Sequence, residues 1–134
     1  MVKMKVNYQG HFHCALTHEP SGNTIETDAP KDNQGKGERF SPTDLVGAAL
    51  ASCILTTMAI VSERNGFTLQ NAEAHVEKNM IDKPRRIESL STHISLPSSL
   101  TEGQRSLLEQ AAMNCPVKQS LHPDLKTPMS FKYF

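Results

Sequence analysis

The sequence predicts an α+β domain, with three strands, a long buried helix, a two-stranded hairpin, two shorter helices and a last strand in that order. Three observations carry this. Ser41 to Gly66, SPTDLVGAALASCILTTMAIVSERNG, is a capped helix without a polar stripe. The segments on both sides of it alternate apolar and polar residues, the periodicity of strands. Helical spacing returns only at Leu100 to Met113.

At the N-terminus, Val2, Met4, Val6 and Tyr8 alternate with Lys3, Lys5, Asn7 and Gln9, which predicts a strand with one buried face, ended by Gly10. The next run sets Phe12, Cys14 and Leu16 on one face and His11, His13 and Ala15 on the other, before a turn at Glu19-Pro20-Ser21-Gly22. Cys14, between Phe12 and Leu16, reads as core. His11 and His13 share a face as a metal pair would, but no third ligand stands at diagnostic spacing, so no metal site is predicted. Asn23 to Asp28 is a third short strand. PKDNQGKGERF, from Pro30 to Phe40, is polar and irregular and reads as a tether or a lid before the helix.

The helix has legible ends. Ser41 is an N-cap residue, Pro42 suits a first position that needs no amide donor, and Asp44 falls where a capping box places its carboxylate. Asn65-Gly66 supplies the left-handed stop. A run apolar on all sides from Leu45 to Val61 has to be buried on all sides. It is short of the roughly 20 residues of a membrane span and is diluted by Gly47, Ser52, Thr56 and Thr57, so no membrane association is predicted.

Beyond Gly66, Ala72, Ala74 and Val76 share one face, Asp82-Lys83-Pro84 breaks the run, and Leu90, Thr92, Ile94 and Leu96 share another, which makes a long hairpin. Thr101 and Gln104 form a capping pair for the next helix, a shorter helix runs from Pro116 to Leu121, and Met129, Phe131 and Tyr133 mark the last strand. A six-stranded sheet would cover one side of the central helix. A second subunit is then expected on the other, giving a symmetric homodimer with a large apolar interface.

The 134 residues, 37% apolar and 21% charged, make one domain over residues 1–134, and the zero formal charge offers no footprint for nucleic acid. The alternating N-terminus lacks the order of a signal peptide, so the expected compartment is the cytoplasm. Cys14, Cys53 and Cys115 are too few and too far apart for a disulfide framework or a metal knuckle. No cofactor is predicted.

Cys53 lies mid-helix with Ala49, Leu50, Thr56 and Thr57 around it, so its own helix supplies neither charge nor a dipole end; packing and chemistry are both open readings. Cys115, in Asn114-Cys115-Pro116, stands at a helix N-cap, where amide donors and the dipole are expected to lower its pKa. A purely capping role is the alternative.

SPTDLVGAALASC, followed further along by NCPV, resembles the OsmC/Ohr family, the osmotically inducible protein C and organic hydroperoxide resistance proteins, as does the order of elements along the whole chain. The resemblance implies an intertwined homodimer. It further implies that Cys53 is the peroxidatic thiol, attacking an organic hydroperoxide, and that Cys115 condenses with the resulting sulfenic acid to a disulfide, which a dithiol reductant such as a lipoyl protein resets.

Family members ionise the helix thiol with an arginine held by a glutamate. Here that glutamate position is Thr43 and the first motif position is Ser41. Asp44 points to another side of the helix, Glu38 is the substitute carboxylate, and Arg39 is the nearest arginine, with a solvated loop charge as its plain alternative. The departures resemble an OsmC-like branch in which charge partners vary. A non-enzymatic dimer holding a small apolar ligand at the interface is therefore the second expectation.

Overall fold

The computed structural model describes residues 1–134. The elements are β1 (Met4–Tyr8), β2 (His13–His18), β3 (Thr24–Asp28), α1 (Pro42–Arg64), β4 (Glu73–Ile81), β5 (Arg86–Leu96), α2 (Glu102–Met113), α3 (Pro116–Ser120) and β6 (Met129–Tyr133), with a short 3-10 turn at Lys31–Asn33. Type and order follow the sequence pattern throughout. The strands do not form one six-stranded sheet: β1-β2-β3 and β4-β5-β6 are separate three-stranded sheets. Alternation states which face of a strand is apolar and leaves its neighbours open, which is why the pattern could not separate the two. Contacts gather into two compact units, residues 1–46 and 47–134.

In the first unit β2 pairs antiparallel with both β1 and β3. Register places Met4, Val6 and Tyr8 on one face with Leu16, Cys14 and Ile25, and places Lys5, Asn7, His13, Glu26 and Asp28 on the opposite face. The expected buried face of β1 is exposed in the single chain, with Met4 and Val6 70% and 59% accessible. Cys14, expected in a core, is only half-buried on that same face.

The expected β2 face is also corrected at its start. Gly10, His11 and Phe12 all have left-handed φ values (85°, 52° and 60°) and form the β1–β2 turn, closed by the His13 amide on Gly10 O at 3.0 Å. His11 therefore does not share a strand face with His13, and Phe12 is exposed.

The segment from Ala29 to Phe40 is tied at its neck. The Gly35 and Gly37 amides donate to Pro30 and Ala29 carbonyls (2.9 and 3.3 Å), and the Asp28 amide donates to Phe40 O at 3.1 Å. Gly35 is obligatory here, since a Cβ would lie 1.7 Å from Ala29 O. The α1 capping box is complete: Ser41 Oγ accepts the Asp44 amide at 3.1 Å, and Asp44 Oδ2 accepts the Ser41 amide at 2.9 Å.

In the second unit β4 and β5 are antiparallel, and β6 joins β5 in parallel. A bulge at Asn79/Met80 shifts the register, which lets Ile87 join Leu90, Thr92, Ile94 and Leu96 as buried residues despite their different parity. Leu50, Ile54 and Met58 of α1 are fully buried, as are Leu108 and Ala112 of α2. Gly47 permits a close approach of α1 to the sheet, since a Cβ there would lie 3.3 Å from Leu90 and 3.4 Å from Val76 side-chain carbons.

Helix α1 ends as predicted: Gly66 has φ +80°, its amide donates to Glu63 O, and the Phe67 amide donates to Ser62 O at 3.1 Å, a Schellman arrangement. Within the single chain the helix is buried on one side. Gly47, Leu50, Ala51, Ile54, Met58 and Ser62 form one buried stripe, while Ile60 stays exposed. By length and mean hydropathy, 2.1, α1 would also pass as a membrane span, a test that core helices of soluble proteins pass too.

Candidate active site

Both thiols of interest lie in the second unit. Cys53 occupies the middle of α1, part-buried, with its sulfur 3.9 Å from Thr57 Oγ1 one turn on. Cys115 follows α2 and is fully buried at the N-cap of α3, with Pro116 in the first helical turn. Its Sγ accepts the Lys118 amide at 3.4 Å. The fold brings the pair near enough for the Cys53 side chain to influence the Cys115 thiol.

The expected electrostatics of Cys115 are reversed. Burial pushes its pKa up, the Lys118 amide pulls it down by less, and Cys53 adds to the rise. Helix α3 has only five residues, so the dipole behind the sulfur is small, while taking a thiolate out of water is costly. A buried, capped thiol of this kind is a poor first nucleophile.

Arg39 belongs to the first unit. Its Nε donates to Glu26 Oε2 at 3.1 Å and its Nη1 to the Glu38 carbonyl at 3.0 Å. An arginine held by a glutamate is thus present, but the carboxylate is Glu26 of β3, and Glu38 contributes backbone only. Thr43 stands in the first turn of α1 with its hydroxyl 3.2 Å from Ser41 Oγ.

The arginine pair extends to His13, whose Nε2 lies 3.3 Å from Glu26 Oε1 and whose Nδ1 lies 2.5 Å from Asp28 Oδ1. Asp28 Oδ2 also accepts the Glu38 amide at 3.2 Å. The Asp28 hydrogen bond raises the His13 pKa, partly opposed by burial and reinforced by Glu26. Arg39 and then His13 lower Glu26, and His13 is the main cause of the lowering at Asp28. The sequence reading missed Glu26 and Asp28. Strand alternation puts both on one face, but their meeting with His13 depends on the β2–β3 register, in which His13 is opposite Asp28.

Residues 35–129 match the OsmC-like protein family model. The chain belongs to the OsmC-like family. A crystal structure from Psychrobacter arcticus, described as an osmotic stress induced and detoxification response protein, is 39% identical with a TM-score of 0.92, over 98% of this chain and 96% of that one.

An organic hydroperoxide resistance protein OsmC of Legionella pneumophila has the same fold at 15% identity (TM-score 0.79; 98% and 96% covered). The uncharacterized protein YmaD of Bacillus subtilis is 23% identical over 133 residues, covering 92% of this chain and 87% of its own. OhrB of Bacillus subtilis, an organic hydroperoxide resistance protein, shares the fold at 15% identity (TM-score 0.70; 98% and 98% covered).

Proposed function

We propose that this OsmC-like protein is a cytoplasmic thiol peroxidase that reduces organic hydroperoxides to alcohols. The observation that carries the reading is that a part-buried helix thiol, Cys53, and a fully buried N-cap thiol, Cys115, are both reduced and close enough for the first to influence the second. Two neighbouring reduced cysteines are what a sulfenic acid needs in order to become a disulfide without a second protein.

In the proposed cycle the Cys53 thiolate attacks the terminal oxygen of the hydroperoxide. The O–O bond breaks as the S–O bond forms, and the alkoxide takes up a proton and leaves as the alcohol. Cys115 sulfur then attacks the sulfenic sulfur; the S–S bond replaces the S–O bond, and the hydroxyl leaves as water with the Cys115 proton. A dithiol, such as a lipoyl group, returns two electrons and two protons to the pair and is itself oxidised to a disulfide. Arg39 is proposed as the cation that favours the attacking thiolate, in line with the family pattern.

The working unit is proposed to be a homodimer. Met4, Val6, Leu16 and Ile25 line an open, largely apolar concavity of about 420 Å³ on the first sheet, and Tyr8 and Phe12 are exposed. A contiguous apolar face of this sort favours a second copy of the chain over water. Steady-state consumption of cumene hydroperoxide with dihydrolipoamide as reductant tests the activity. Turnover that is lost in both Cys53→Ser and Cys115→Ser supports it. Equal, slow consumption by all three proteins contradicts it and favours a non-enzymatic dimer that binds an apolar ligand.

A further inference from the structure

The chain of side chains behind Arg39 has a consequence beyond the peroxidase reading, although its effect on activity rests on that reading. Both ring nitrogens of His13 face carboxylate oxygens, Nδ1 towards Asp28 and Nε2 towards Glu26. A neutral imidazole has one N–H and can satisfy only one of them; the imidazolium donates to both. Glu26 in turn receives Arg39 Nε, and Asp28 receives the Glu38 amide, so a single ring underlies both attachments of residues 38 and 39.

We propose that His13 is a positioning residue for Arg39: doubly donating, it fixes the Glu26 carboxylate under the guanidinium and the Asp28 carboxylate under the Glu38 amide. The other charged and titratable groups around the ring are consistent with this. His11 comes from the β1–β2 turn, and Lys36, Glu38 and Arg39 come from the segment before α1; together with Gln9, Gly10, His13 and Asp28 they line one polar hollow of about 250 Å³. Lys36 and Arg39 oppose a positive ring, whereas Asp28, Glu26 and Glu38 favour it. The carboxylates prevail because two of them bond the ring directly.

When the ring gives up its proton, one of the two bonds must be lost. Arg39 then keeps its charge but loses the fixed carboxylate that orients it, or residue 38 loses its anchor. The strands themselves need not open, since their backbone ladder does not involve the ring.

The test follows Arg39 Nε–H and the Glu38 amide by NMR in the full-length protein, from about pH 5 to about pH 9, in the parent, His13→Gln and His13→Lys. In the parent, one or both signals change along the titration of His13 itself. In His13→Gln the Glu38 amide or Arg39 Nε–H exchanges at least about tenfold faster at low pH, the scale of one charge-assisted hydrogen bond. In His13→Lys, whose ammonium can donate to both carboxylates, protection is restored and no longer follows that titration.

Signals in the parent that ignore the His13 titration overturn the proposal, and this arm needs no variant to fold. Thiol-loss kinetics with cumene hydroperoxide are measured on the same samples. A parent that passes the NMR test without reacting with peroxide upholds the positioning role and refutes the peroxidase reading. A reactive parent whose Arg39 and Glu38 signals do not follow His13 does the opposite.

Discussion

Cys115 caps α3 by accepting the Lys118 amide at 3.4 Å, and the same sulfur is the proposed partner of Cys53, so one buried thiol serves the local fold and the proposed chemistry. The two roles respond differently to substitution. Cys115→Ser keeps an N-cap acceptor, whereas Cys115→Ala removes it and is expected to cost about 0.5–2 kcal/mol. Urea denaturation of the reduced proteins checks this, with the alanine variant expected to be the less stable of the two.

The His13 cluster predicts a stability window. His13 is raised from 6.5, so its contribution is complete below that pH and is lost as pH rises through the higher folded value. Glu26 and Asp28 are lowered from 4.5 and 3.8, so theirs is complete above those values and is lost as pH falls through the lower folded ones. The difference in Tm between the parent and His13→Gln should therefore be largest between pH 4.5 and 6.5 and should shrink on either side. A difference that is flat with pH would contradict the linkage.

A second titration reports on the C-terminal strand. Tyr133 donates to Glu109 at 2.5 Å beneath the Arg105 guanidinium, 4.0 Å from its ring centre. Burial first, and then Glu109, push the phenol up to about 12. Ultraviolet titration should show a late phenolate step that disappears in Tyr133→Phe and moves to lower pH in Glu109→Gln.

In the core of the second unit, Leu50 is fully buried on the α1 stripe. Leu50→Ala is expected to destabilise by about 2–5 kcal/mol, read from denaturant midpoints at constant slope. The exposed Ser52 on the same helix should tolerate alanine with little change.

Much of this arrangement was legible because it is local. Ser41, Asp44 and Gly66 announce the limits of α1 through caps made within a few residues, and the alternation of Leu90 to Leu96 states which face of β5 is buried. What stayed hidden depends on register and on the solvent around one chain. The pairing of Arg39 with Glu26 joins residues on different elements, and nothing in the spacing of either favours it over Glu38. The left-handed Gly10-His11-Phe12 turn looks like a continued strand because its apolar residue falls in phase. The raised pKa of Cys115 is not legible in the sequence because cap and dipole can be inferred locally, whereas burial depends on the whole core.

The most direct test of the central claim is to add one equivalent of cumene hydroperoxide to reduced protein and follow thiol loss and intact mass. Rapid loss of two thiols in the parent, with an intramolecular Cys53–Cys115 disulfide, is expected. In Cys115→Ser, a sulfenic acid should be trapped at Cys53 and nowhere else. Persistence of both thiols in the parent over hours, or a trapped sulfenic acid at Cys14 instead, would contradict the account.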